Sequence, residues 1–518
     1  MFLGEVMSRA AKWYPDKIGS IDEGDGSRFT YVQLNERINA LAHALIDLGI
    51  RPQDRIAIIC HNSHNYLEAV FATAKIGGVA TNLNWRLAPK ELAFLLEHSG
   101  ARIVFFSKRF ESLLRPMQQA LENKVQFISI GGVMEDTIDY EELISTHAKT
   151  EPDVALGYDD TVLQMYTSGT TGQPKGVMLT HRSVASHAVN TVLEQQFNRH
   201  DKYLNVLPMF HVAIYLPIDC VFVGATNVFQ PAFDPTAVLS IIEKEEITGI
   251  ALAPAILGFL INHPQIDEYK IDSLNWIVYA AAPMPIPILK KAIHKFECDF
   301  IQVFGQTETS PVISILVPEE HVIEGPEYKV RRLGSVGRPI INVDVKVVDD
   351  GGNECPIGVV GEIIASGDTM MKGYYKMQEM TAETIKNGWL HTGDMGYFDE
   401  DGYLYLADRR KDMIISGGEN IYPAEIEMCI MQIEGVADVA VIGVPDDKWG
   451  ESVKAIIVSK PDAELTADKV IDHCVKNIAS FKKPRTVDFV DALPRNVMGK
   501  IQKNILREPY WADGERKI

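Results

Sequence analysis

Residues 166–177 read YTSGTTGQPKGV, and within them Thr167, Ser168, Gly169, Thr170, Thr171 and Gly172 are without exception hydroxylated or glycine. Such a run supplies many hydrogen-bond donors and little side-chain bulk, as a loop wrapped around phosphate oxygens requires. Lys175 follows Gly172 by three residues and precedes Gly176, so the G-x-x-x-x-G-K-[ST] spacing of a Walker A loop fails. Composition alone leaves a second reading open, a flexible Ser/Thr/Gly turn without a ligand.

Outward from this loop, over about residues 28–260, short β-branched runs alternate with helical stretches. RIAIIC at 55–60, ARIVFF at 101–106 and QFISI at 126–130 read as strands, and 31–48 as an amphipathic helix. This alternation predicts an α/β fold with parallel sheets covered by helices. From 334 to 402 the texture changes to strands punctuated by glycine, at 343–348, 361–365 and 402–406, which predicts a β-rich subdomain. The charged run 408–412 (DRRKD) then precedes a last segment. It contains a helix after Pro423, strands at 439–444 and 454–458 and a helix at 467–478, enough for a small α+β domain. The boundary falls at Lys411, giving a large domain at 1–410 and a small one at 411–518.

The 518 residues have the apolar content of an ordinary soluble enzyme, 46% hydrophobic and 23% charged, and suffice for two to four folded units. Seventy acidic against 50 basic residues give a net charge of -20, which disfavours nucleic acid as a partner but not a small anion held by backbone N–H groups, a lysine and a metal ion. Cys60, Cys220, Cys298, Cys355, Cys429 and Cys474 are scattered without a C-x-x-C pair, the pattern of reduced thiols rather than a disulfide framework or zinc site. The opening residues MFLGEVMSRAAKWYPDK read as an amphipathic helix and not as a signal peptide, and no window is apolar enough to span a bilayer. A cytoplasmic protein is expected, as a monomer or a homodimer.

The 166–177 stretch resembles the signature of the adenylate-forming (ANL) superfamily, which includes acyl-CoA synthetases, the adenylation domains of peptide synthetases and firefly luciferase. Four further segments match in order: AAAPMP at 280–285, FGQTE at 304–308, GWLHTGDMGYFDEDGYLYLADRRKDMIISGGENI at 388–421 and PRNVMGK at 494–500. The resemblance therefore extends over about residues 29–503. It implies an AMP-binding adenylation domain followed by a mobile C-terminal lid, and a carboxylate attacking the α-phosphorus of ATP. Because two anions must meet, catalysis would rest on preorganised cations and donors.

By this resemblance the loop from Thr167 to Gly172, with Lys175, holds the β and γ phosphates, Glu308 and Thr170 ligate Mg2+, and Thr307 contacts the α-phosphate. Asp394 would accept both ribose hydroxyls beside Arg409. Phe304, where many relatives carry Tyr, would stack on adenine, with Gly305, Ala281, Ala282 and Pro283 along the ring. Lys500 would bridge the acid and the α-phosphate. Rotation about Lys411 would then bring Ser416, Gly417 and Gly418 to a coenzyme A thiol channel, with Trp449, Phe481 and Lys483 on its nucleotide. His211, Ala213, Pro217, Ala280, Gly305, Pro311 and Val312 would line the acid pocket. Amino-acid-activating relatives carry Asp where this chain has His211, so an apolar acid is favoured, medium-chain, alicyclic or aromatic. His211 itself reads either as a core histidine or as a pocket gate. Two rivals remain: transfer of the adenylate to a carrier protein, and a nucleotide sensor that has lost turnover. The sequence 271–274 (IDSL) faintly resembles a phosphopantetheine site but reads as a turn.

Overall fold

Runs of four or five β-branched and aliphatic residues are too short for stable helices and, buried on both faces, settle as parallel strands. The structure is a computed structural model. It describes residues 1–121, 125–167, 174–195, 197–282, 284–409, 412–416, 419–446, 448–461, 463–495 and 501–511, without the side chains of 408, 409 and 420.

Two large sheets make up the N-terminal body. The eight-stranded sheet runs in spatial order Gly373–Tyr374, Lys175–Thr180, Thr161–Thr167, Val79–Asn82, Arg55–Ile59, Ile103–Ser107, Gln126–Ile130 and Ile138–Asp139. Its centre is parallel, whereas Lys175–Thr180 pairs antiparallel with both of its neighbours. The nine-stranded sheet has Lys202–Asn205, Gly249–Leu252, Trp276–Tyr279 and Asp299–Phe304 as consecutive parallel neighbours at its centre. A five-stranded antiparallel sheet built on Val343–Val348, Gly361–Gly367 and Trp389–Phe398 is the expected β-rich subdomain. The C-terminal domain has its own sheet, in which Val436–Asp446 and Gly450–Ser459 form the long hairpin, and its own apolar core around Ile414, Ile426, Val441 and Ile457.

The helices follow their sequence signals. Leu3–Trp13 buries Leu3, Val6, Met7 and Ala10, the stripe expected of the amphipathic opening. Tyr31–Asp47 starts at a capping box: Thr30 Oγ1 accepts from the Gln33 N–H at 3.3 Å, and Gln33 Oε1 accepts from the Thr30 N–H at 2.8 Å. Among the described residues no helix is long and apolar enough to cross a membrane. The six cysteines are free, and Asp272 and Ser273 lie in a turn.

Two strands begin later than the sequence reading placed them. The strand expected at 101–106 is Ile103–Ser107, because Gly100 ends the preceding helix in the left-handed region (φ 70°) and the Ala101 N–H still bonds to the Leu96 carbonyl. The strand expected at 402–406 is Leu404–Arg409, because Gly402 (φ 80°) closes a turn by donating to the Asp399 carbonyl.

Candidate active site

In a parallel sheet the ligand crevice lies at the carboxyl ends of the strands, where Thr167 and Phe304 end their strands and Ala280 follows Trp276–Tyr279. Thr161–Thr167 and Lys175–Thr180 form a hairpin in which Thr167 pairs with Lys175. The hydroxyl and glycine loop is therefore the hairpin's connection, although Ser168, Gly169, Thr170, Thr171 and Gly172 lie outside the described residues. Thr307–Thr309 forms a tight turn after Asp299–Phe304 and buries Thr307 and Glu308 to 5% and 8% exposure.

The two pieces meet through Tyr374, which sequence reasoning missed. Gly373–Tyr374 adds an edge to Lys175–Thr180, and the Tyr374 hydroxyl donates to Glu308 Oε1 at 2.9 Å. Lys175 Nζ sits over the Tyr374 ring, 5.0 Å from its centre. Burial first, and the Glu308 carboxylate second, push the Tyr374 phenol above its ordinary value, so it remains a proton donor. Glu308 is thus oriented by a neutral donor with a cation nearby. A buried carboxylate of this kind suits a hard cation that keeps waters and phosphate oxygens as its other ligands.

Gly305 needs its missing side chain, since a Cβ there would lie 2.0 Å from the Pro311 carbonyl oxygen. Gly305 is thereby packed against Pro311, and the Ile313 N–H, next to Val312, donates to the Phe304 carbonyl at 2.8 Å. Ala280, Ala281 and Ala282 follow the neighbouring parallel strand Trp276–Tyr279, and Ala281 adopts a left-handed conformation (φ 73°), uncommon for a residue with a Cβ. Pro283 lies outside the described residues.

The T-G-D turn is cross-braced. Gly393 is left-handed (φ 71°), its N–H donates to Glu362 Oε1 at 3.2 Å, Thr392 Oγ1 donates to the Ile363 carbonyl at 2.7 Å, and the Asp394 N–H returns to Thr392 Oγ1 at 3.1 Å. Gln306 Nε2 donates to the Thr392 carbonyl at 3.3 Å and ties this turn to the Thr307–Thr309 turn. Asp394 and Arg409 face each other in the register of two antiparallel strands. Gln306 and Glu362 are further residues that the sequence reading did not single out.

His211 opens the segment that becomes the short turn Val212–Ile214 and the helix Tyr215–Val223. Burial holds its imidazole down at about 4, and its Nδ1 has no partner among the described residues. It is therefore neutral near pH 7. Ala213 and Pro217 are buried on the same segment.

In the C-terminal domain Ser416 pairs with Glu419 and with Gly450, the residue after Trp449. Lys448 Nζ and the Arg485 guanidinium each lie 4.9 Å from the Trp449 ring centre. Phe481 is 49% exposed, with Lys482 over its ring. Arg485 is the addition here. Gly417, Gly418, Lys411 and Lys500 lie outside the described residues; flanking Lys500, Arg495 bridges to Ile501 and the Gln502 N–H bonds to the Pro494 carbonyl at 2.8 Å.

Two α/β sheets with nucleotide-type turns at their carboxyl edges, followed by a separate α+β domain, define the class of adenylate-forming enzymes. The profile of the AMP-binding enzyme family matches residues 7–375, and that of the AMP-binding enzyme C-terminal domain matches residues 425–500. The chain belongs to this family: it is an AMP-forming carboxylate–CoA ligase that uses ATP, Mg2+ and coenzyme A. It is 36% identical to a long-chain-fatty-acid–CoA ligase of Mycobacterium tuberculosis over 98% of this chain and 99% of that one. It is also 36% identical to a feruloyl-CoA synthase of Amycolatopsis sp over 94% of each. Among solved structures, the ATP-bound MatB of Rhodopseudomonas palustris matches with a TM-score of 0.88 and 28% identity, over 98% of this chain and 99% of that one.

Proposed function

We propose that the enzyme activates an acid with an apolar body, medium-chain, alicyclic or aromatic, as an acyl adenylate and then passes the acyl group to coenzyme A. The observation that carries the first step is the convergence of Lys175, Tyr374 and Glu308 at the base of the 168–173 loop. In this reading backbone donors of that loop and Lys175 hold the β and γ phosphates, and Thr307 donates to the α-phosphate. Tyr374 keeps Glu308 turned toward the phosphates. Glu308 and Thr170 are the residues that would hold Mg2+, which when bound offsets triphosphate charge. Asp394, fixed by the braced turn, accepts the ribose hydroxyls with Arg409 beside it. Phe304 supplies the stacking face for adenine, with the backbone of Ala281 to Pro283 at its edge. Lys500 delivers the last positive charge as the carboxylate closes on phosphorus, a point charge on a flexible stem.

A neutral His211 supports an apolar acid. With a neutral imidazole at position 211, an ammonium group beside His211 would find no counter-ion there, which is costly; the buried carboxylate of the following helix, Asp219, is already engaged by His187. For the second step, Trp449 with Lys448 and Arg485 at its ring, on the domain that also carries Lys483 and the exposed Phe481, suits the adenine and phosphates of coenzyme A better than it suits a protein carrier. A relative in Streptomyces coeruleorubidus is named as a fatty acid–[acyl-carrier-protein] ligase, so transfer to a carrier is the second reading. In either case the domain at 411–518 pivots at Lys411 so that Lys500 leaves before the thiol arrives. A pyrophosphate-release screen over straight-chain, alicyclic and aromatic acids tests the first step. Trapping with coenzyme A, free pantetheine and an acyl carrier tests the second. Preference for the carrier over coenzyme A would reverse the assignment.

A further inference from the structure

The adenylation chemistry leaves unused a polar cluster buried between the helices His181–Glu194 and Tyr215–Val223. His187 Nε2 lies 3.2 Å from Asp219 Oδ2 and 3.0 Å from Thr191 Oγ1, and the edge of its ring meets Tyr215 at 4.5 Å between centres. Asn190 lies on the same helical face, three residues from His187 and 2% exposed, while Asp219 is fully buried. Neither amide atom of Asn190 has a hydrogen-bond partner among the described residues, and the same holds for His187 Nδ1 and Asp219 Oδ1.

A core of this kind is unusual, because buried polar groups are nearly always paired. Its position is equally telling. Tyr215 directly follows the His211 to Ile214 segment, and the Ser310 hydroxyl beside Tyr215 belongs to the residue that precedes Pro311. Both adjoining segments are those assigned above to the acid pocket, and this inference rests on that assignment. We infer that the acid carries a hydroxyl group remote from its carboxylate, received by Asn190 and the His187–Asp219 pair. A hydroxyl matches because it donates and accepts at once, and Asn190 presents both a donor group, its NH2, and an acceptor, its carbonyl oxygen. A second charge does not match. The partners of Asp219 are His187 and Thr191, with no lysine or arginine among them to neutralise a distal carboxylate.

A site that hydrogen-bonds a substrate hydroxyl discriminates strongly against the analogue lacking it, since its own groups are then left unpaired. Matched straight-chain and aryl-propanoid acids, each with and without one remote hydroxyl, are compared by kcat/KM for pyrophosphate release. The hydroxylated member of at least one pair should be preferred by about tenfold or more. In Asn190→Leu, and in Asp219→Asn as a second variant closer in shape, that ratio should fall toward one. Ratios near one for every pair in the unaltered enzyme, with plain acids turned over, overturn the inference and leave the parent reading standing. So does a preference that survives both substitutions. If no acid releases pyrophosphate, the parent reading falls and takes this one with it.

Discussion

The turn Thr307–Thr309 and the surface around Trp449 hold their functional groups in opposite ways. In the N-terminal body Thr307 and Glu308 are nearly inaccessible, Gly305 is pressed against the Pro311 carbonyl and the T-G-D turn is braced by four hydrogen bonds. In the small domain Phe481 is half exposed and Trp449 meets its two cations through ring contacts alone. The first region is preorganised, so its groups need little rearrangement when charge develops. The second presents a face that can engage one partner and release it. The two-step scheme proposed above calls for both, a fixed site for the phosphates and a detachable one for the thiol.

Substitutions in the two regions should therefore separate the half-reactions. Lys500→Ala should lower adenylation by at least ~100-fold, the scale of losing a main charge stabiliser, while thioester formation from presupplied acyl adenylate survives. Equal loss of both would remove the two-conformation scheme. Lys411→Pro should do the reverse by stiffening the pivot, leaving pyrophosphate release in place and suppressing thioester formation; thioester formation at the normal rate would refute the hinge. Tyr374→Phe removes a hydrogen bond to a carboxylate and should reduce pyrophosphate release by about tenfold without changing the KM for coenzyme A. Trp449→Ala should raise the KM for coenzyme A by about two- to fivefold, the scale of an exposed cation–π contact, and leave ATP–pyrophosphate exchange as it was. A change in exchange would show that the C-terminal face also serves adenylation.

Acid should weaken the body through its histidines. Burial holds His61, His181, His211 and His321 at about 4, below the ordinary value near 6.5. Between those limits the unfolded chain takes up protons that the folded chain refuses, so stability falls as pH falls. The melting temperature should drop steadily from about pH 6.5 to 4, and a flat profile would mean that these rings protonate in place.

Much of this was legible in the chain. QFISI at 126–130 is the strand Gln126–Ile130, because a short β-branched run flanked by breakers has few alternatives. The adenylation segments were equally plain, since a phosphate loop, a T-G-D turn and a glycine-lysine tail each need particular residue types. The strand ends at 101–106 and 402–406 were misjudged where a helix cap and a turn claimed the first residues. Tyr374 could not be found, because a tyrosine becomes an orienting donor only when folding brings it to a carboxylate 66 positions away. Trp449 was noted, but its sandwich with Arg485 was not, for the same reason.

Local chemistry thus settled the alternation of strands and helices and the family, because those depend on neighbours along the chain. Long-range packing decided that His211 is neutral, that Tyr374 orients Glu308 and that Asn190, His187 and Asp219 share one buried cluster. Desolvation and hydrogen bonding between distant segments exist only after the sheets and helices have closed on one another.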